Sequence, residues 1–204
     1  MYQLVEEAMK VLREPTTDFD FENPPEDPKE IEKNMAEAME RFGGLGLSAN
    51  QLGLQYRVFV MRTADSGTRA FFNPEITKLS KETELMKEGC LSFPDIYLMI
   101  KRPSAIELEY SDADGERHTL QLEGMGSRCV QHELDHLNGI IFLQRASKLK
   151  LERAIKSRPK ERRKRIDYEK RMEIARQLQS LQSQSDSDSD EGRVPDTDSV
   201  AQQS

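Results

Sequence analysis

Residues 131–136 read Gln131-His132-Glu133-Leu134-Asp135-His136, and this run predicts a metal-binding helix at the centre of the fold. Residues four apart lie on one helix face about one turn apart, so His132 and His136 can present imidazole nitrogens to a single divalent ion. Glu133 is placed to take a proton from a water molecule that the ion activates. The alternative is a solvated helix face. It is disfavoured because the chain has only three histidines, and two of them have this spacing.

The third ligand of such a site is expected outside this helix, since catalytic zinc-like ions usually take three protein ligands and leave one position for water. The candidate is Cys90, in the run Glu88-Gly89-Cys90-Leu91-Ser92, because a thiolate binds soft and borderline ions strongly. From these residues alone, a buried structural thiol is an equally open interpretation of Cys90. The only other cysteine, Cys129, would share the helix face of His132 and either line the site or pack in the core.

A third segment, Gly44-Leu45-Gly46-Leu47-Ser48-Ala49-Asn50-Gln51, alternates small and apolar residues. It lacks the third glycine of a dinucleotide fingerprint, and the chain has no Gly-Lys-Ser/Thr phosphate loop, so nucleotide binding is disfavoured. Its backbone is unhindered by side chains, and the amide of Gln51 offers N–H donors to an oxyanion. Taken alone, the segment is also consistent with a plain turn after a helix.

Together the three segments resemble those of the peptide deformylase family, which carries Gly-φ-Gly-φ-Ala-Ala-x-Gln, Glu-Gly-Cys-Leu-Ser and Gln-His-Glu-x-Asp-His in that order. The second and third segments match unchanged, whereas the first has Ser48 where the family has alanine. The resemblance covers about residues 10–146, because flanking residues match as well: Pro94, Arg102-Pro103, Arg128 and Leu137-x-Gly139. The stretch Phe93-Pro94-Asp95-Ile96-Tyr97 is similar to the plastid and cyanobacterial-like branch of the type 1 enzymes.

The resemblance implies a metal-dependent hydrolase that removes the N-formyl group from the N-terminal methionine of newly synthesised polypeptides and releases formate. It implies that Cys90, His132 and His136 hold one divalent ion, usually Fe²⁺ in the family. Zn²⁺, Ni²⁺ or Co²⁺ can occupy such a site, and the ligand set cannot choose among them. Glu133 is then the proton carrier.

The same resemblance implies how the substrate is held. The Gln51 side chain and the Leu91 backbone N–H would stabilise the tetrahedral oxyanion. The peptide would lie along the edge of the cleft like an added strand, near Gly46 and Gly89. The methionine side chain needs an apolar pocket, and the candidates, each of which is also open as plain core, are Leu45, Met86, Met125 and Cys129.

Asp135 precedes a metal-binding histidine, at a position where a buried carboxylate would need a charged partner. Arg102 matches a family position twelve residues after the ligand cysteine. We therefore predict that Arg102 and Asp135 form an ion pair that fixes the strand after Cys90 against the metal-binding helix.

Two other functions are compatible with parts of the pattern. A zinc metallopeptidase of the His-Glu-x-x-His kind would cut internal peptide bonds and take its third ligand after His136, where the sequence offers neither His nor Cys. A catalytically inactive relative that binds the ribosome or RNA is disfavoured because every catalytic position is intact.

The uneven distribution of charge predicts three regions. Residues 147–176 hold thirteen Lys or Arg against five Asp or Glu, whereas residues 185–204 hold six Asp or Glu against one Arg. We expect a catalytic domain at 1–146, a basic helical arm at 147–184 and a disordered acidic Ser/Asp-rich tail at 185–204. The arm either contacts ribosomal RNA or is a plain solvated helix, the commoner fate of charged runs.

The chain has no run of eighteen apolar residues and no basic-then-apolar pattern at its start. These features predict a protein without a membrane span or secretory signal, in the cytoplasm, an organelle stroma or a host cytoplasm. Its two cysteines suggest reduced thiols. We expect a monomer.

The periodicity predicts an α+β fold in which antiparallel or mixed β-sheets pack around a central metal-binding helix, with a C-terminal helix. A first helix is expected after Asp27, ending at Gly43-Gly44. The metal-binding helix should run from about Met125 to Leu137, and a last helix should begin near Lys148 and be interrupted near Pro159. Strands are expected at 56–62, 69–72, 76–87, 105–110 and 117–122, the last two as a hairpin.

Overall fold

A computed structural model of the chain describes residues 2–63 and 67–190. Within these ranges the α+β class is confirmed, with three α-helices and seven strands. In chain order they are α1 (Pro28–Phe42), β1 (Gly46–Ser48), β2 (Val58–Thr63), β3 (Gly67–Leu79), β4 (Thr83–Cys90), β5 (Phe93–Pro103), β6 (Ala105–Ser111), β7 (Arg117–Glu123), α2 (Gly124–Leu137) and α3 (Lys148–Asp190).

The described strands form two antiparallel sheets. One sheet has the order β1-β2-β3-β6-β7, and the other consists of β4 and β5. The predicted hairpin between β6 and β7 is confirmed. Its turn is fixed by the carboxylate of Asp112, which accepts hydrogen bonds from the backbone N–H groups of Asp114 and Glu116.

The first helix begins and ends where its sequence predicts. The Asp27 side chain accepts a hydrogen bond from the Lys29 N–H, and Pro28 occupies the first turn, where no N–H is needed. Gly43 ends the helix in the left-handed conformation at φ 71°. An N-cap like that of Asp27 contributes about 1 kcal/mol to stability. The buried face packs against the five-stranded sheet and consists of Ile31, Met35, Ala38 and Met39.

Helix α2 lies between the two sheets, and ten of its 14 residues are buried. Its apolar face, with Val130, Leu134 and Leu137, packs against Phe59 and Phe71 of the five-stranded sheet. Its polar face is bonded to the strand β5: Arg128 donates to the Ile100 carbonyl and Gln131 to the Pro103 carbonyl. The helix that carries the histidines is thus fixed from both sides.

The strands differ from the prediction in several places. The expected strand at 69–72 and the first part of the one at 76–87 form a single strand, β3. The expected strand at 76–87 is divided, because the chain turns at 80–82, where the Ser80 hydroxyl donates to the Glu82 carbonyl. Strand β5 was not predicted, because Tyr97 and Met99 are apolar on its exposed face and obscure the alternation of buried residues. Strand β1 was not predicted because its glycine-rich run resembles a turn.

Helix α3 is continuous through Pro159, so the predicted interruption there is wrong. A proline inside a helix removes one backbone hydrogen bond, and the strong helix formers Lys, Arg and Glu around it favour continuation. The helix also extends to Asp190, six residues into the tail predicted to be disordered. The remainder of that predicted tail, 191–204, lies outside the described residues.

The chain divides into two compact units, one ending at Arg158 and one beginning at Pro159. The predicted catalytic domain, 1–146, ends before the first unit does. Ala154 is buried against the apolar cluster around β5, and Arg158 donates to the Pro94 carbonyl and pairs with Glu7. The start of the predicted arm therefore packs with the first unit. No helix among the described residues is long and apolar enough to cross a bilayer.

Candidate metal centre

Helix α2 presents the two histidines as the spacing predicts. The imidazole rings of His132 and His136 have centroids 5.1 Å apart and lie nearly edge to face. Both side chains are buried, so neither belongs to a solvated helix face. The structure thus agrees with the metal-binding interpretation of the spacing rather than with its alternative.

The end of β4 brings Cys90 to these rings. Its Sγ lies 3.1 Å from His136 Nε2, and one donor atom from each of Cys90, His132 and His136 lies within 4.8 Å of the others. Two imidazole nitrogens and a thiol are the donor set that borderline divalent ions prefer, and their separations suit bonds of about 2.0–2.3 Å to one ion. The residues present therefore fit a metal ion.

The Glu88 carboxylate contacts the His132 ring, and this contact was not predicted from the sequence. Its Oε2 lies 3.0 Å from His132 Nδ1, which leaves Nε2 of that ring for the metal side. Burial alone would raise the pKa of Glu88, but hydrogen bonds from Arg102, His132 and Arg128 hold it well below its usual range. The carboxylate is therefore charged and orients the ring.

The predicted ion pair between Arg102 and Asp135 is present. Arg102 Nη1 lies 2.7 Å from Asp135 Oδ2, and both side chains are buried. Arg102 also donates through Nε and Nη2 to the two oxygens of Glu88, at 2.7 and 2.9 Å. Arg145 gives Asp135 a second cationic partner. The pair is thus one part of a network that joins β4, β5 and α2.

The two histidines differ in their pKa. Burial would lower the pKa of His132, but hydrogen bonds with Cys90 and Glu88 raise it to about 10. Burial and the neighbouring His132 hold the pKa of His136 well below its usual value, which keeps that imidazole neutral, as a ligand must be. The charged carboxylate of Glu88 beside His132 favours positive charge at that ring, which suits a bound cation.

Glu133 points to the opposite side of the cluster, toward β1. The Ser48 hydroxyl donates to its Oε2 at 2.6 Å, and a Cβ added at Gly46 would lie 2.6 Å from its Oε1. Burial raises the pKa of Glu133, and the opposing effects of His132 and the Ser48 hydrogen bond offset this only in part. A raised pKa suits a carboxylate that accepts and returns a proton near neutral pH.

Gln51 lies beside the thiol, with its amide oriented at both ends. The Ser48 N–H donates to Gln51 Oε1 at 3.0 Å, and Gln51 Nε2 donates to Ser92 Oγ at 3.0 Å. This arrangement directs Nε2 toward Cys90, 3.4 Å from its Sγ. One N–H of the amide is therefore held by Ser92, and the other faces the metal cluster.

The structure brings some of the predicted substrate-binding residues to the cluster. Cys129 Sγ would lie 2.7 Å from a Cβ added at Gly46, beside Glu133, and burial raises the pKa of that thiol, which keeps it protonated. Leu45 and Met125 are each 55% exposed, so they are surface side chains rather than core. Gly89 lies against the Tyr97 ring. Met86, the last of the predicted substrate-binding residues, is partly buried, as is Leu91, whose backbone N–H was predicted to stabilise the oxyanion.

Among the residues that contact the predicted site without an assigned role from the sequence are Ser48, Glu88, Ser92 and Arg128. One signal was available, because metal-binding histidines usually donate to a carboxylate and Glu88 stands two residues before Cys90 in sequence. The other three contacts depend on how distant strands approach α2. Periodicity does not report that approach.

The fold and the cluster define a hydrolase-type metal centre in which a Cys-His-His set adjoins a buried carboxylate. Residues 1–152 match the family described as polypeptide deformylase, and the chain belongs to that family. It is accordingly an enzyme, a hydrolase that removes the formyl group from the N-terminal methionine of new polypeptides. The resemblance inferred from the three segments is confirmed, and neither the metallopeptidase nor the inactive relative finds support.

Individual relatives agree. The chain is 44% identical to the peptide deformylase of Wolbachia pipientis wMel over 144 residues, 65% of this chain and 80% of that one. Among solved structures it is similar to the enzyme of Synechococcus elongatus in complex with actinonin, with TM-score 0.71 and 30% identity over 78% of this chain and 88% of that one. It is also similar to the Met-Ala-Ser bound enzyme of Acinetobacter baumannii, with TM-score 0.66 and 26% identity over 71% and 98%. These relatives do not assign a branch, so the plastid and cyanobacterial-like branch stays a prediction.

Proposed function

We propose that Cys90, His132 and His136 hold one divalent ion per chain and that Glu133 carries the proton in hydrolysis of the N-formyl amide. The observation that carries this proposal is the approach of the three donor atoms to within 4.8 Å of one another. The contact of the buried, charged Glu88 with His132 Nδ1 supports the proposal, because such a carboxylate orients a ligand ring toward an ion.

The identity of the ion belongs to the proposal. When bound, a divalent ion supplies Lewis acidity, which lowers the pKa of a water molecule and polarises the formyl oxygen. By family resemblance we propose Fe²⁺ as the native ion, with Zn²⁺, Ni²⁺ and Co²⁺ able to replace it. A thiolate with two imidazoles accepts all four.

Glu133 takes the proton of the attacking water and returns it to the leaving amine. Its raised pKa makes both steps feasible near neutral pH, because the carboxylate is a stronger base than an exposed one and its acid form still donates. The carboxylate is 4% exposed, so bulk water does not compete for the proton.

The oxyanion of the tetrahedral intermediate would accept hydrogen bonds from Gln51 Nε2 and from the backbone N–H of Leu91. The support is geometric, since Gln51 Nε2 lies 3.4 Å from the Cys90 thiol and Leu91 follows that cysteine directly. Donors that are fixed before the reaction stabilise developing charge without reorganisation.

The substrate would be a nascent peptide that begins with N-formyl methionine. By family resemblance we place its main chain beside Gly46 and Gly89, where it would form hydrogen bonds like an added strand. Its methionine side chain would contact Leu45, Met86, Met125 and Cys129. The tripeptide Met-Ala-Ser, bound to the Acinetobacter baumannii enzyme, is the product expected from formyl-Met-Ala-Ser.

The test is an assay of anaerobically purified protein on formyl-Met-Ala-Ser and on an unformylated peptide, with metal content measured in the same samples. We expect formate in proportion to bound metal and no cleavage of internal peptide bonds. Cleavage of the unformylated peptide would support a metallopeptidase instead, and metal-free protein with full turnover would contradict the proposed role of the cluster.

Three broader expectations also remain proposals. Contact with ribosomal RNA through the basic arm is supported by the exposed Lys and Arg side chains that follow Pro159 on α3. The expected monomer and the location in the cytoplasm or an organelle stroma rest on the sequence. A salt-dependent ribosome pelleting assay addresses the first of these, because phosphate contacts weaken as salt rises.

A further inference from the structure

Ser48 occupies a fully buried position between the two polar groups that the proposed reaction needs. Its hydroxyl lies 2.6 Å from Glu133 Oε2 and 3.1 Å from the Glu133 carbonyl oxygen. Its backbone N–H donates to Gln51 Oε1. One residue therefore contacts the proton carrier through its side chain and the oxyanion donor through its main chain.

The side-chain contact distinguishes this chain from the family pattern, which has alanine at the position of Ser48. A methyl group cannot donate a hydrogen bond, so in that pattern the carboxylate oxygen would lack this partner. Here the distance of 2.6 Å is typical of a hydroxyl that donates to a charged carboxylate.

The two oxygens of the Glu133 carboxylate have different surroundings. Oε2 accepts the Ser48 hydrogen bond, whereas Oε1 lies over Gly46, so close that a Cβ there would be 2.6 Å away. Gly46 is where the proposed peptide main chain lies. Only Oε1 is therefore on the substrate side and without the hydroxyl.

We propose that Ser48 is a positioning residue for the proton carrier: its hydroxyl holds Oε2 of Glu133, so that Oε1 takes the proton of the attacking water. As Oε1 gains that proton, the water O–H bond breaks, the water oxygen forms the new C–O bond, and the π pair of the formyl C=O moves onto its oxygen. When that oxyanion collapses, the C–N bond breaks and Oε1 returns the proton to the leaving amine. Oε2 keeps the same hydrogen bond throughout, so the carboxylate need not rotate between the two proton transfers. This inference rests on the proposed role of Glu133.

A purely structural role of Ser48 would have a different experimental consequence. The hydroxyl also lies near the Glu133 carbonyl oxygen and so could serve only to join β1 to α2. In that case its removal would lower stability without acting through the Glu133 side chain. The two roles are separated by asking whether the effect of Ser48→Ala depends on the carboxylate.

The experiment is a double-mutant cycle on the full-length, metal-loaded enzyme with Ser48→Ala, Glu133→Gln and the double variant. Ser48→Ala should lower kcat about tenfold, the effect of one hydrogen bond to a charged group, with KM and metal content unchanged. In the Glu133→Gln background the same substitution should change kcat by less than about twofold, because the group that it positions is already absent.

Ser127→Ala is the matched control, because Ser127 is a buried, hydrogen-bonded serine of α2 that contacts Gln131 and the Pro103 carbonyl instead. It should leave kcat unchanged. If Ser48→Ala does not fold, Ser48→Cys takes its place, since the thiol is of similar size and a weak donor. Its kcat should lie between that of the wild type and the value expected for Ser48→Ala.

Two results would overturn the inference: an unchanged kcat in Ser48→Ala, or an equal fall in both backgrounds. A failure of the proposed function is distinguishable from these, because it would appear as near wild-type turnover in Glu133→Gln alone.

Discussion

Charged residues are abundant in two regions of this enzyme, and they have different structural consequences. Around α2, Glu88, Arg102 and Asp135 are each 5% exposed, and each has two or more charged partners. On α3 beyond Pro159, the ion pairs join residues three or four apart on one exposed helix, as in Arg171 with Asp167. Burial, rather than charge itself, therefore decides whether a residue fixes the geometry of the site.

The reason is the cost of desolvation. A buried charge that loses its partner costs about 3–5 kcal/mol, whereas an exposed pair contributes about 1 kcal/mol or less. The buried network can therefore hold strand β4, which carries Cys90, against helix α2, which carries His132 and His136. The exposed pairs support only the helix to which they belong.

The largest effect within the buried region is expected from Cys90→Ser. A neutral hydroxyl is a much poorer ligand than a thiolate, so metal affinity should fall by at least about a hundredfold and deformylation should fall with it. Cys129→Ser is the matched control and should keep its metal, since Cys129 is not a proposed ligand. Metal analysis after dialysis checks both, and unchanged metal in Cys90→Ser would move the third ligand elsewhere.

An arginine-to-alanine substitution in each region shows how much a buried and an exposed ion pair contribute to stability. Arg102→Ala leaves Glu88 and Asp135 without their shared partner and should lower the free energy of unfolding by about 3–5 kcal/mol. Arg171→Ala removes an exposed pair on α3 and should leave the unfolding midpoint unchanged. Chemical denaturation of both variants decides the matter, and similar losses would show that burial is not the deciding factor.

A smaller effect is expected in the pH dependence of stability. The pKa of Glu88 is held below its ordinary value of 4.5, so its carboxylate stabilises the fold fully above that value, and this contribution is lost as pH falls through the lower folded pKa. Unfolding by urea between about pH 6 and about pH 3 should give a shallower acid loss in Glu88→Gln than in the wild type. Asp167→Asn, on the exposed helix, should follow the wild-type curve, and identical slopes in all three proteins would refute the assignment.

The smallest effect is expected from removing the second unit. Deletion of residues 159–204 leaves the packed start of α3 in place, including buried Ala154 and the Arg158 contacts. Thermal unfolding and turnover on formyl-Met-Ala-Ser should therefore remain at wild-type values. A large loss in either would mean that the arm stabilises the first unit, and a loss confined to salt-sensitive ribosome binding would identify it as a docking element.

Much of this architecture is local and could be predicted from the sequence. The cap at Asp27, the stop at Gly43 and the i, i+4 histidines of α2 each depend on residues within one or two turns. The Arg102–Asp135 pair was predictable because a buried carboxylate needs a partner. The resemblance then assigned the family.

What could not be predicted depends on approach between distant segments. The Ser48 hydroxyl meets Glu133, 85 residues away in sequence, only because β1 packs against α2. Strand β5 was missed because its exposed Tyr97 and Met99 are apolar. The helix across Pro159 was missed because one proline does not end a helix that strong helix formers continue on both sides.

The most direct test of Glu133 as the proton carrier at a metal centre is a metal titration of wild-type and Glu133→Gln enzyme from which a chelator has removed the metal. Bound metal and formate release from formyl-Met-Ala-Ser are measured in the same samples. We expect that both proteins bind one ion per chain, that wild-type turnover rises in proportion to bound metal, and that Glu133→Gln is slower by about 10²- to 10⁴-fold. Near wild-type turnover in the loaded Glu133→Gln enzyme would contradict this role of Glu133.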